Sequence, residues 1–470
     1  MTAVGVLPVV GESTPDDLEV LRGLFDLSLQ PLDQFDGFDR RDQVGTAAYR
    51  YQLNFIGYAL ALSQLTRTPA FTGYLAAAQR NLIVKMCDKR VWGYWARESR
   101  IGYLRHETDP IRHANVMYSG YLGVMIGVFQ TLNQDDAFDR PGSLTYRWDD
   151  QISHEYDFRR LAFAIRENML AKPKCPQYPC EPHLIYPICN TFALNTLMMY
   201  DRLHNDDISS ELVSKVRTSY DADGWRRADR RFIPIRLGAS VNLSPPVIGS
   251  DAAMALWLSA AMPDIARQTW DMITSRLLRW DGDDVVMRGR SWLRIDVGNY
   301  RFTNGEANTK VAVMNAAREF GADHIADRLS EAIDSDLEQE RARGARRYRG
   351  VSNLVNAMYA LARFSRTNGV ADLIAGRIPE QWRTGPVLAE AAYPDVLVAR
   401  ALTDGSDLDL VLYPGTGPHR ARLGIARLQP NRTHRVGGAV EPTVTADERG
   451  LGYVDVDLDA RTAVSLAPTQ

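Results

Sequence analysis

The sequence predicts an all-α protein, an (α/α)6 barrel of six helical hairpins, followed by a small C-terminal antiparallel β module. Twelve segments between residues 17 and 364 carry apolar residues at helical spacing, with only a short strand-like insertion at 285–297. After about Thr403 the pattern changes to short alternating runs, LDLVLYPG, HRARLGIARL, THRVGG and YVDVDLDARTAVSLAP, separated by Gly, Pro and Asp. The length of 470 residues exceeds a usual single core and fits a helical ring with an appendage. Residues 1–400 are therefore assigned to a catalytic barrel domain and 404–470 to a β-rich module, which holds no titratable cluster and reads as a packing appendage.

The first helix, 17–29, aligns Leu18, Leu21, Leu24, Phe25 and Leu29 on one face. An acidic, aromatic stretch (32–42) leads to a long helix at 44–65, whose Tyr49, Tyr51, Phe55, Tyr58 and Leu62 are expected to point inward. A third helix covers 72–86. The irregular aromatic stretch KRVWGYWARESRIGYLRHETDP, ending at Pro110, reads as a long loop of the kind that often carries function. A fourth helix at 115–132 puts Tyr118, Tyr121, Leu122, Met125, Val128 and Leu132 together. Further helices follow at 155–169, 190–203, 209–220, 251–260, 263–278, 305–320, 322–332 and 352–364.

The balance of 55 basic against 58 acidic residues leaves no footprint for nucleic acid or an anionic membrane. Apolar runs such as 55–62 and 122–129 are too short to span a bilayer, and the N-terminus lacks a basic region followed by an apolar one. A cytoplasmic protein is expected, with no nucleic acid partner and no membrane span; a homo-oligomer is compatible with these totals. Three of the four cysteines fall in one short stretch, which argues against a secreted disulfide framework and for local reactivity.

Two of those three lie in PCEPHLIYPICNTFALNTLMMYDRLHN, starting at Pro179, with Cys175 just before it. It gathers Cys180, Glu181, His183 and Cys189 and then turns into an amphipathic helix that Asn190 or Thr191 can cap and that stops at His204-Asn205. Cys189 thus stands at the positive end of a helix, where the macrodipole favours a thiolate. Free cysteines are commonly small buried hydrophobes. The alternative is acid–base work, with Glu181 between two thiols moving protons in a dry pocket, its acidic form favoured by burial. The ligand spacing C-x4-C-x2-H-x5-C matches no common zinc site, and no metal is expected. Pro182 and Pro187 should hold the chain between the thiols as an extended loop, so that both sulfurs can face one pocket.

Tyr51 and Tyr121 fall on inward helical stripes, where core packing is the default, yet a buried phenol must find a partner and suits a polar handle in an apolar pocket. Residues 91–103, with Trp92 and Trp95, are placed as a lid, and Trp92, Trp95, Tyr118 and His183 as substrate-binding residues. Asp281-Gly282-Asp283-Asp284 spells DxDD, a pattern associated with protonation in class II terpene cyclases, but its position between a helix and a strand reads first as a turn. The arginine run 341–349 reads as a solvated loop. No phosphate loop, nucleotide fingerprint or serine elbow is present.

Four stretches together resemble the linalool dehydratase/isomerase family: RYQLNFIGYALA from Arg50, KMCDKRVWGYW from Lys85, DPIRHANVMYSGYL from Asp109 and CEPHLIYPICNTFALNTLMMYDRLH from Cys180. The resemblance covers about 48–204, continues more weakly to about 364 and leaves out the β module. It implies an α/α six-hairpin barrel and cofactor-free acid–base dehydration and isomerisation of a terpenoid alcohol. The family's two cysteines match Cys180 and Cys189, its glutamate Glu181 and one tyrosine Tyr51. The family's histidine is replaced by Tyr121, and its second tyrosine falls near Asp251. Its aspartate on the first helix has Asp26 as nearest candidate, with Asp39 as the other. The resemblance implies Cys180, Glu181, Cys189, Tyr51, Tyr121, Asp251 and Asp26 as catalytic residues, a small apolar terpenoid substrate and no cofactor. Two other activities stay open: terpenoid cyclisation started by an acidic Asp251, since alkene protonation needs a stronger acid than a phenol, and carbohydrate chemistry, which uses paired carboxylates and tryptophan platforms.

Overall fold

The computed structural model describes residues 8–40, 49–171, 176–288, 296–299, 301 and 306–469. Among them, a helix-rich body is followed by a β-rich C-terminal region. Twelve helices organise the body: α1 (Pro15–Ser28), α2 (Arg50–Arg67), α3 (Gly73–Met86), α4 (Val116–Asn133), α5 (Phe158–Leu170), α6 (Pro187–His204), α7 (Ser210–Ala222), α8 (Ile248–Trp257), α9 (Pro263–Met272), α10 (Ala307–Glu319), α11 (Asp323–Asp336) and α12 (Asn353–Phe364).

Their burial sorts them into two layers. In α2 every residue from Gln52 to Thr66 is buried, and in α4 every residue from Val116 to Thr131. A helix apolar on all sides belongs inside. By contrast α5 buries one stripe, Phe158, Leu161, Ala162, Ile165 and Met169, and α11 buries Ile325, Ala326, Leu329 and Ile333. Such helices face water on the other side. The even-numbered helices pack in a closed cycle, α2 on α4, α4 on α6, α6 on α8, α8 on α10, α10 on α12 and α12 back on α2. The odd-numbered helices lie against them from outside, α3 on α2 and α4, α5 on α4 and α6, α9 on α8, α11 on α10.

Local chemistry sets the ends. Thr14 and Asp17 form a reciprocal capping box before α1, with Pro15 at its first position. Ser352 caps α12 through the Val355 N–H. α6 starts at Pro187, three residues earlier than the expected cap at Asn190, because proline suits the first helical position; it ends on Asn205 in the left-handed conformation.

Several expectations need correction. Residues 41–48, the expected start of the second helix, lie outside the described residues, as do 289–295 of the expected strand insertion. The strands found there form an antiparallel hairpin, Leu278–Asp281 with Asp284–Met287. The DxDD sequence is its turn, exposed throughout, with Gly282 at φ 61°. The supposed aromatic loop is helical (Lys89–Trp92 and Tyr94–Tyr103) and buries its tryptophans in the core. Arg341 to Arg349 also lies on a hairpin, Gln339–Ala342 with Ala345–Tyr348, and Arg346 is buried between Asp16 and Asp334.

Strands of the C-terminal region begin at Val387, before the compositional change near Thr403. They form a three-stranded sheet (Val387–Glu390, His419–Ala426, Gly452–Leu458) and a five-stranded one ordered Val396–Thr403, Leu408–Pro414, Thr462–Pro468, Thr433–Gly437, Thr443–Thr445. This region is tied to the helices by backbone bonds, Leu388 N–H to Ala70 O at 2.9 Å and Ser13 N–H to Ala399 O at 2.9 Å. Its core runs on into theirs.

The tightest helix contact joins α4 and α6. A Cβ on Gly120 would lie 2.9 Å from the Ala193 nitrogen, and one on Gly123 would strike Thr196. Because the obstacle at Gly120 is backbone, Gly120→Ala must push the helices apart and is expected to cost about 1–3 kcal/mol, read as a lower midpoint in urea unfolding.

Glu319, at the end of α10, is fully buried and accepts the Val370 and Ala371 N–H groups at 2.8 and 3.0 Å. Burial outweighs these donors and pushes its carboxyl from 4.5 up to about 7. A folded value above the unfolded one means that stability is greatest below the unfolded value and is lost as pH rises toward the folded one. Relative to Glu319→Gln, the wild type should lose about 3 kcal/mol between pH 4 and pH 8. A constant difference across paired unfolding curves would contradict this.

Candidate active site

The loop before α6 is held by one side chain. Fully buried Asn190 accepts the Tyr178 N–H at 3.0 Å and donates to the carbonyls of Tyr178 and Tyr186 at 3.1 and 3.0 Å. Within the loop Cys180 N–H reaches Leu184 O at 2.9 Å and Leu184 N–H reaches Glu181 O at 3.0 Å. His183 completes this turn at φ 65°, a left-handed conformation, and Leu184–Ile185 then pairs with Arg236–Leu237. The segment between the cysteines is thus a closed turn and a short strand, where an extended loop was expected. Cys189 is the third residue of α6, and both Cys180 and Cys189 line one cavity.

Both thiols and Glu181 line a cavity of about 570 Å³ together with Tyr51 of α2 and Tyr121 of α4. The Tyr121 hydroxyl lies 3.9 Å from the Cys189 sulfur. The Tyr51 hydroxyl donates to the Met117 sulfur at 3.2 Å. Tyr121 stacks on Phe192 with ring centres 3.7 Å apart, and Phe192 meets Trp257 at 4.3 Å. Phe55 and Tyr186 complete the aromatic wall. Burial pushes the Tyr51 and Tyr121 phenols and the Cys180 thiol well up. All three are neutral hydrogen-bond donors at pH 7.

Arg50 lies behind this group and was not singled out from the sequence. Fully buried, it sits 4.7 Å from the Tyr51 ring centre and 4.3 Å from that of Tyr94, and donates to Met117 sulfur at 3.2 Å. Its charge draws the Tyr51 and Cys180 values down against burial. Arg50 precedes Tyr51 directly, but a cation inside an aromatic helix has no periodic signal that would announce it.

Other expected site residues lie elsewhere. Asp251, in the first turn of α8, is fully buried but does not line the cavity. Its oxygens accept Arg231 Nε at 2.8 Å and the Phe232 N–H at 2.9 Å. Burial is the largest influence on its carboxyl, pushing it up to about 6. Asp26 bonds the Tyr393 hydroxyl and lines a separate cavity of about 260 Å³ beside the 339–348 hairpin. Asp39 accepts the Asn353 N–H at 2.7 Å at the start of α12, also away from the thiols.

None of the four expected substrate-binding residues lines the cavity. Trp92 donates to Cys87 O at 2.9 Å and Tyr118 to Met86 O at 2.5 Å, both within the core. Trp95 is buried, and exposed His183 contacts Gly102 O through its ring at 3.0 Å. Apolar helical stripes bury side chains without saying whether they meet a cavity or solid packing, so Trp92 and Trp257 look alike from sequence. No group of three His, Cys, Asp or Glu among the described residues is placed to hold a metal ion, and no helix among them is long and apolar enough to cross a membrane.

Two thiols, a carboxyl and two phenols on an aromatic cavity inside a helical cycle define a protein with a pocket suited to proton transfer. Residues 50–354 match the family model described as linalool dehydratase/isomerase, and the chain belongs to that family. Two solved structures are distantly similar. An unsaturated glucuronyl hydrolase specific for heparin has 11% identity and a TM-score of 0.46, over 74% of this chain and 96% of that one. A GH127 β-L-arabinofuranosidase from Geobacillus stearothermophilus T6 has 11% identity and a TM-score of 0.34, over 97% and 76%.

Removing the Asn190 amide leaves the Tyr178 N–H and two carbonyls unsatisfied. Asn190→Ala should cost about 1–3 kcal/mol and speed alkylation of Cys180 by iodoacetamide, measured by peptide mass. Unchanged melting and labelling would show that Asn190 does not hold the loop.

Proposed function

We propose that this chain is a cofactor-independent acid–base lyase/isomerase acting on an apolar terpenoid alcohol or alkene. The carrying observation is the meeting of Cys180, Glu181, Cys189, Tyr51 and Tyr121, from three inner helices and one loop, on one aromatic cavity. Family membership supports the same reading. We also infer that the closed cycle of even-numbered helices, with odd-numbered helices outside, is an (α/α)6 barrel.

In a dehydration, a neutral donor, Cys180, Tyr51 or protonated Glu181, gives its proton to the substrate hydroxyl, which leaves as water. A base, ionised Glu181 or a thiolate, then takes a proton from the adjacent carbon, and those electrons form the new double bond. Isomerisation returns the water at the other end of the allylic system. Tyr121 and Cys189, whose hydroxyl and sulfur are 3.9 Å apart, can help return the proton to the donor, so no net proton is consumed. Positive charge developing on carbon would face the rings of Tyr121, Phe192 and Trp257, which favour it.

The lining favours this chemistry over glycosidic cleavage, which uses a facing carboxyl pair: among the described lining residues Glu181 is the one carboxyl. For cyclisation started by Asp251 no lining supports the acid, since both its oxygens are taken by Arg231 and Phe232.

Terpenoid alcohols, polyenes and diphosphates offered as a panel, with products read by mass spectrometry, test the substrate class. Cys180→Ala, Cys189→Ala and Glu181→Gln should each lower turnover of the active substrate about 10²-fold or more. Near wild-type turnover in all three would remove the cluster from the mechanism.

A further inference from the structure

Arg231 lines the same cavity as the thiols, and so does Arg288. The Arg231 side chain is 22% exposed, whereas Asp251 behind it is 0% exposed. Asp251 takes only the ε N–H of Arg231, at 2.8 Å, and spends its other oxygen on Phe232. A guanidinium has five N–H donors in a planar fork, so the remaining ones are left to the cavity side. Burying a carboxylate is costly, and a fold that does so behind a cation fixes where that cation points. The lining also includes the polar Asn308, Thr309 and Asn315. The lining therefore combines apolar side chains, an acid–base cluster with a single carboxyl, and two guanidinium groups. Its volume of about 570 Å³ is mid-range for pockets that enclose drug-sized ligands, larger than a bare ten-carbon alcohol demands.

We propose that the substrate is an apolar chain bearing an acidic oxyanion, a carboxylate or a phosphate ester, and that Arg231, held by Asp251, binds that group. The inference rests on the cavity being the substrate site and deepens that reading. A hydroxyl asks for one donor; a planar fork matches an oxyanion with two. Asp251 is then a positioning residue, which accounts for a carboxyl where the family pattern has a phenol.

Calorimetric titration of the full chain with geraniol, geranic acid and geranyl diphosphate tests this without requiring turnover. At least one of the two acids should bind about 10- to 100-fold more tightly than geraniol, and the preference should weaken as salt rises. A preference for geranic acid alone marks a carboxylate ligand and for the diphosphate alone a phosphate ester. Arg231→Gln should abolish the preference, while Arg231→Lys should keep part of it. Equal binding of all three by the wild type overturns the oxyanion site, as does a folded Arg231→Gln protein that keeps the preference. If turnover of a neutral alcohol still falls in Glu181→Gln, the acid–base reading survives that outcome. Binding of none of the three overturns both.

Discussion

The approach of α4 to α6 is the constraint on which the site depends. Gly120, Gly123 and Gly127 lie along the α4 face toward α6, and a side-chain carbon at any of them would collide with Ala193, Thr196 or Met199. The absence of those carbons lets Tyr121 stack on Phe192 at 3.7 Å and sets the phenol 3.9 Å from Cys189. A wider spacing would keep the fold and lose these contacts, because a thiol and a phenol exchange protons only within hydrogen-bond reach. Backbone sterics in a helix interior therefore set the chemistry of two side chains.

Desolvation then decides what those side chains are. Burial raises the phenols and the Cys180 thiol, leaving them protonated. Neutral donors suit a substrate that must develop positive charge, since an anion beside the leaving hydroxyl could not protonate it. Arg50 supplies a fixed positive charge behind Tyr51 and Tyr94, away from the Phe192–Trp257 wall where carbon charge would be stabilised. Of the two rings that hold Arg50, Tyr51 also lines the cavity and Tyr94 does not.

Much of the helical architecture was legible in the sequence, for a physical reason. A helix with a stripe such as Ile325, Ala326, Leu329 and Ile333 repeats its burial every 3.6 residues. The cluster from Cys180 to Cys189 was legible because its members are close in sequence. What could not be read were relations between distant segments: Arg231 with Asp251, Arg50 against Tyr94, Trp257 on the cavity while Trp92 is in solid packing. The tryptophans of 91–103 misled because aromatic density suits a lid and a buried helix equally, and Asp26 because a first-helix position says nothing of the direction its carboxyl takes.

Asp251 and Tyr121, the two departures from the family pattern, have different consequences. Tyr121 stays on the cavity and replaces an imidazole, which titrates near neutrality, with a phenol that burial keeps protonated. Under the proposed function, proton return at that point would run through the neighbouring sulfur rather than through a titrating ring. Asp251 leaves the cavity wall and puts a guanidinium there instead. One change alters how protons move and the other alters what the wall attracts. On the proposed reading, a pocket altered in both respects keeps the thiols and carboxyl that proton transfer would use while taking a different ligand, and family membership then fixes the kind of chemistry more closely than the substrate.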